Sequence, residues 1–293
     1  TQPPPPATPG PSTGTEFVVE MRSAAATPIP APEARALLLK PSVRAALDFP
    51  RAWAEAHGPS GAIRWTPLEE VPDAARLSRL AFAWPLADLL AEGEAAIRGD
   101  LRRFAVESGR AVAGAGLTAA PREDAGEAAR RAQRLLDLKR RFGHSVEMRL
   151  MPHGRPFPAR DVWRALYGLG LTWGDLDLFH WHDPATGARR FTVSAVGHAG
   201  YFLPERAVEG EGVGGISLAF ELPYSPAPLE VYDRMAVALA YLRAKLGGHP
   251  VSRSGAELDG DRLHDDRDAL EEAVEEMEKA GIAPGSPDAE RFF

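Results

Sequence analysis

Leu171-Thr172-Trp173-Gly174-Asp175-Leu176-Asp177-Leu178-Phe179-His180-Trp181-His182 is the densest run of strand-forming residues in the chain. Gly174-Asp175 brings turn chemistry near its start, and Asp183-Pro184-Ala185-Thr186-Gly187 closes it with a second turn. Successive side chains of an extended segment face opposite sides. Phe179 and Trp181 then share one face, expected to lie beneath helices. Leu176, Leu178, His180 and His182 share the other, where two leucines sit among polar neighbours.

Outward from this stretch, the same alternation recurs. Val146, Met148 and Leu150 alternate with Glu147 and Arg149. Ile216, Leu218, Phe220 and Leu222 form an unbroken apolar face, with Ser217, Ala219 and Glu221 opposite. Residues 159–168 read as a helix. Leu229, Tyr232, Met235, Leu239, Leu242 and Leu246 step along one side of a longer one, which Gly247-Gly248 terminates. A last helix is expected over residues 261–279, its glutamates forming a solvated face, and a loose tail from residue 283.

The first half repeats this plan. Val19-Glu20-Met21-Arg22 recurs as Val146-Glu147-Met148-Arg149, and Pro28-Ile29-Pro30-Ala31 as Pro156-Phe157-Pro158-Ala159. Arg35-Ala36-Leu37 recurs as Arg164-Ala165-Leu166, and Leu80-Ala81-Phe82 with Pro85 as Leu218-Ala219-Phe220 with Pro223. Four matches in one order, with slowly drifting offsets, point to duplication. The chain then divides into a proline-rich flexible linker (1–15), a first domain (16–142), a second (143–282) and a flexible tail (283–293). Strands with helices on one side give an α+β class for both domains.

The stretch at residues 174–182 also resembles the G-(D/E)-M-N-I-(Y/F)-H-x-H signature of the ZipA C-terminal domain family, which belongs to a membrane-anchored bacterial division protein that binds FtsZ. Phe191-Thr192-Val193-Ser194-Ala195, Gly200-Tyr201-Phe202 with Pro204, residues 215–223 and Gly247-Gly248 continue the resemblance in order. It spans about Gly143 to Ala280. The resemblance implies a split βαβ fold in each of two tandem copies, an antiparallel sheet with helices on one face and the other face open. The first copy is diverged: no G-D-x-x-x-F-H-x-H pattern survives between Leu39 and Arg79.

Other chemistries find little support. The formal net charge of −7 supplies no basic stripe for nucleic acid. Absence of cysteine removes disulfides and thiolate chemistry. His180 and His182 have metal-compatible spacing without a third ligand at recognisable spacing, so a structural pair is expected and no cofactor or metal. No nucleophile elbow, phosphate loop or H-E-x-x-H helix occurs, and no enzyme activity is expected. A hydrolytic enzyme on the histidine-bearing strand is the reading from another class.

The remaining candidate is the open sheet face of the second copy. Leu176, Leu178, Val196 and Ala219 form its expected apolar part, with Ser194, Ser217, Glu147 and Arg149 around them. The resemblance implies that this face receives the C-terminal tail of FtsZ, here in a shallower and more polar groove. A cell-division protein is therefore expected, or else an interaction scaffold of the same fold with another partner. No 18-residue apolar run exists, and Thr1 is not a start methionine. By resemblance, a membrane span upstream of residue 1 is expected to tether the chain to the cytoplasmic face of the inner membrane.

Overall fold

A computed structural model describes residues 10–12, 14–23, 27–57, 63–197 and 200–293. The chain divides into two compact units, one of residues 1–140 with 291–293 and one of residues 141–290. No helix among the described residues is long and apolar enough to cross a membrane.

The N-terminal unit starts with strand β1 (Glu16–Ser23), followed by a two-residue strand β2 (Ile29–Pro30) and helices α1 (Ala31–Leu38) and α2 (Pro41–Ala46). A hairpin of β3 (Arg51–His57) and β4 (Ile63–Pro67) follows, then β5 (Arg76–Leu77), which pairs β2, and β6 (Arg79–Pro85). Helix α3 (Glu94–Val112), strand β7 (Leu117–Pro121) and helix α4 (Ala125–Phe142) complete the succession. The antiparallel sheet runs β4-β3-β6-β1-β7. Both β6–α3–β7 and β1–α1–α2–β3 link strands that run parallel with one strand between them, two split βαβ units interleaved.

The C-terminal unit consists of β8 (Ser145–Met151), a short β9 (Phe157–Pro158), α5 (Ala159–Gly168), β10 (Thr172–Gly174), β11 (Leu178–His182) and β12 (Arg189–Ala195). Helix α6 (Pro204–Glu209), β13 (Gly212–Val213, paired with β9), β14 (Ile216–Glu221), α7 (Pro228–Leu246), β15 (His249–Ser252) and α8 (Gly260–Lys279) follow. The sheet order is β10-β11-β12-β14-β8-β15. Four successive strands, β3-β6-β1-β7 in one unit and β12-β14-β8-β15 in the other, have the same arrangement. The added strands differ: β4 follows the strand it borders, whereas β10 and β11 precede theirs.

Alternation decides which face is covered. In the C-terminal unit Met148, Leu150, Phe179, Phe191, Val193, Ile216, Leu218 and Phe220 are buried. Val162 and Leu166 of α5 and Val231, Met235, Leu239 and Leu242 of α7 are buried too. Helix α8 packs on α7, where the Tyr232 hydroxyl donates to the Leu263 carbonyl at 3.0 Å. Burial, then the carboxylates of Asp266 and Asp233, push the Tyr232 phenol up to about 12. Asp259 caps α8, accepting from the Arg262 amide at 2.8 Å. In the N-terminal unit Phe17, Val19, Met21, Leu80, Phe82 and Trp84 form the helix-side face, and Trp84 stacks on Phe104 of α3 at 4.8 Å.

Val19-Glu20-Met21-Arg22 and Val146-Glu147-Met148-Arg149 pair with Leu80-Ala81-Phe82 and Leu218-Ala219-Phe220 in corresponding registers. Val19 lies opposite Phe82 and Met21 opposite Leu80; Val146 lies opposite Phe220 and Met148 opposite Leu218.

Three sequence expectations need amendment. The run from Leu171 to His182 is two strands, because a turn at Asp175–Asp177 interrupts it. Of the linker expected over residues 1–15, residues 1–9 and 13 lie outside the described residues, but Pro11 is buried. The tail expected to be loose from residue 283 carries a helix, α9 (Pro287–Phe292), because Phe292 is buried at 1% exposure and its carbonyl accepts from Lys139.

Candidate binding face

The helix-free face of the C-terminal sheet is built from two cross-strand rows. Ser194, Ser217, Arg149 and Val251 stand side by side on β12, β14, β8 and β15. Leu178 extends this row outward, since the next residue, Phe179, pairs with Val193. The second row is Thr172, His180, Thr192, Ala219 and Glu147. The middle of the sheet thus presents Thr192, Ser194, Ser217 and Ala219, four small side chains flanked by longer ones.

Glu147 organises one flank. Ser217 Oγ donates to its carboxylate at 2.5 Å and Arg149 Nε at 2.6 Å, with Arg253 at 3.8 Å. Burial would raise this carboxyl; hydrogen bonds from Arg149 and Ser217 outweigh it and hold the group below its ordinary range. The anion is therefore fixed, and Ser217 is 5% exposed beneath it.

His180 organises the other flank. It is 4% exposed; its Nε2 donates to the Asp175 carbonyl at 3.0 Å, and its Nδ1 lies 3.4 Å from Thr192 Oγ1. His182 reaches Thr172 Oγ1 at 3.2 Å. The histidine motif thus ties the Asp175–Asp177 turn to the sheet. The Phe202 amide holds the other end of that turn, donating to the Asp177 carbonyl at 2.8 Å.

Leu176 sits at the apex of this turn and not on the strand face where alternation put it. Its φ of 58° is left-handed, and its side chain is 75% exposed. Such a backbone is unfavourable for a residue with a Cβ and persists because both ends of the turn are pinned. Val196 lies one residue past β12. Its amide donates to the Gly215 carbonyl at 2.8 Å, and it borders Gly215 together with Met151 at the end of the face. The structure therefore gathers Glu147, Arg149, Ser194, Ser217 and Ala219 in adjoining positions. Leu178 lies on their outer side, Val196 at one end, and Leu176 beyond the strand.

A hollow of 440 Å³ opens beside Ala219 and Thr192, bounded by Ser145, Arg190, Glu221 and Tyr224. Neither of its two arginines, Arg189 and Arg190, stood out in the sequence. The signal was present in Asp183-Pro184-Ala185-Thr186-Gly187, whose Asp183 accepts from Arg190 at 2.8 Å and fixes that guanidinium. Hydrogen bonds from Arg190 and the Ala185 and Thr186 amides hold the Asp183 carboxyl below its ordinary range.

A partly polar strip of small residues, edged by the half-buried Leu178 and fixed charges, is suited to an extended or helical peptide. Residues 145–269 match the family described as ZipA, C-terminal FtsZ-binding domain. The match falls within the C-terminal unit and covers less than half of the chain. No curated protein matches the chain. The ZipA family is one of binding domains by its description, and the matched residues include both rows up to Val251 and Arg253.

Proposed function

We propose that this chain is a ZipA-like bacterial division protein whose C-terminal unit takes the C-terminal tail of FtsZ on the helix-free face. The observation that carries this reading is the coincidence of the family match with that face. Leu178 and the exposed Leu176 supply apolar contacts, Ala219 and the serines admit the peptide backbone, and Glu147, Arg149 and Arg190 set charge register. The N-terminal unit is a diverged duplicate. Its equivalent registers and shared strand arrangement support that reading; the different placement of β4 marks the divergence. Tethering at the cytoplasmic face of the inner membrane, through a segment upstream of residue 1, belongs to the same proposal and rests on the resemblance.

A scaffold with another partner is the second reading, favoured by the polar centre at Thr192, Ser194 and Ser217. Isothermal titration of the full chain with an FtsZ tail peptide separates the two. Leu178→Asp should weaken binding by about 2 kcal/mol, roughly thirtyfold, through lost apolar burial and a desolvated charge. Circular dichroism should stay unchanged. Absence of binding by the unaltered chain would favour the scaffold, and equal affinity in a folded Leu178→Asp chain would exclude this face.

A further inference from the structure

The helix-free face of the N-terminal sheet is unlike its counterpart. Val18, Ala81 and Ala83 form its floor, all at 0% exposure, with Trp53 at 3% and Trp65 packed against them. Trp53 lies opposite Ala81, as Thr192 lies opposite Ala219 in the other sheet. The strip of small residues is thus replaced by aromatics. Strand alternation turns these residues away from the face of Phe17, Phe82 and Trp84.

Part of the cover is the chain's own proline-rich segment. Gly10 lies on Trp65 so closely that a Cβ there would come within 2.5 Å of the Trp65 Cβ. Pro11 is buried. The carbonyls of both are taken by arginines: Arg291 Nη1 donates to Gly10 at 3.0 Å and Arg122 Nη1 to Pro11 at 3.2 Å. Ser12 exchanges bonds with Glu16, its amide to the carboxylate at 2.8 Å and its carbonyl from the Glu16 amide at 2.9 Å. The guanidiniums of Arg122 and Arg79 lie 5.1 and 5.4 Å from the Trp65 ring centre.

We propose that this face is a recognition site for an extended, proline-rich peptide, and that the segment at Gly10-Pro11-Ser12 is its resident ligand. Three observations agree with a general property of such chains. Proline-rich chains are pre-extended and expose backbone carbonyls, which suits aromatic grooves with N–H donors. Two arginines here already bind successive carbonyls. The buried Trp53 indole N–H meets no acceptor among the described residues. Past Arg122 the face continues into a 430 Å³ hollow lined by Glu20, Arg22, Thr118 and Ala120, which gives a longer ligand room. The inference concerns the N-terminal unit and stands apart from FtsZ binding.

The test uses the full chain carrying Gly10→Val and Pro11→Asp together, which crowds Trp65 and puts a charge where Pro11 is buried. Indole N–H resonances are followed by NMR while a peptide of residues 1–12 is added. A tethered segment acts at an effective concentration of order mM, so the unaltered chain should resist an added peptide. The double variant should stay folded, show shifted Trp53 and Trp65 signals, and bind the peptide at least ~10-fold more tightly than the unaltered chain. Adding Trp65→Ala should abolish that binding. No binding to the folded double variant by about 5 mM peptide would overturn the proposal. So would binding that survives Trp65→Ala. Unfolding of the double variant would show the segment to be a core element instead of a ligand, and would overturn it equally.

Discussion

Glu20 and Glu147 hold equivalent places in the two sheets, each bonded by the arginine two residues on. In the N-terminal unit Arg79 replaces Ser217 as the cross-strand donor, at 2.7 Å, and Arg122 joins at 3.2 Å. The Arg79 hydrogen bond outweighs burial and, with Arg22 and Arg122, lowers the Glu20 carboxyl from 4.5 to about 2. A carboxyl more acidic in the folded state stabilises fully above its unfolded pKa. That contribution is lost as pH falls from about 4.5 through about 2. The Glu20 side chain is 9% exposed but its partners Arg22 and Arg79 are 66% and 35% exposed, so solvent screening reduces the contribution to about 1–2 kcal/mol. Denaturant unfolding followed across this window should show a steep loss of stability that Glu20→Gln flattens. An unchanged slope in that variant would remove Glu20 as the cause.

Leu176 gives a prediction in which stability and binding separate. Glycine there would relieve the left-handed conformation, about 1 kcal/mol, and would lose a similar amount through chain entropy. Leu176→Gly should keep its thermal midpoint within a few degrees of the parent while tail affinity falls severalfold. A large drop in midpoint would instead make the turn a packing element.

At the scale of elements, the turn from α7 into β15 depends on Gly247 and Gly248, with φ of 75° and 87°. A Cβ on Gly248 would meet the Met151 carbonyl oxygen at 2.4 Å and Phe157 Cζ at 2.8 Å. Gly248→Ala should cost about 2 kcal/mol or more, from φ strain and a backbone clash together, and lower the midpoint of the C-terminal unit by several degrees. A midpoint unchanged by this substitution would mean that the close approach is easily relaxed.

The parts legible in sequence share this local character. Strand alternation placed Glu147, Ser194, Ser217 and Ala219 on one face, and helix periodicity outlined α5, α7 and α8. What escaped depended on distant partners. The turn that lifts Leu176 off the strand is set by His180 and Phe202, the latter 25 or more positions away in sequence from the turn it holds. The burial of Pro11 depends on Arg122, far along the chain. Proline composition alone reads as a linker, because local propensity carries no record of an arginine that takes its carbonyl.

At the scale of the molecule, two sheets that share an arrangement over four strands carry faces of different chemistry. Threonine and serines line the C-terminal face where Trp53 and Arg79 stand on the N-terminal one, and on the latter Gly10 lies against Trp65. An FtsZ tail should accordingly engage one unit. The most direct measurement is amide chemical-shift mapping of the full chain as the tail peptide is added. The account predicts shifts clustered at Glu147, Arg149, Thr192, Ser194, Ser217 and Ala219, with the buried helix-side residues of β14 and the whole β1–β6 pair little moved. Shifts concentrated on the N-terminal unit, or on α7 and α8 with the helix-free face silent, would contradict it.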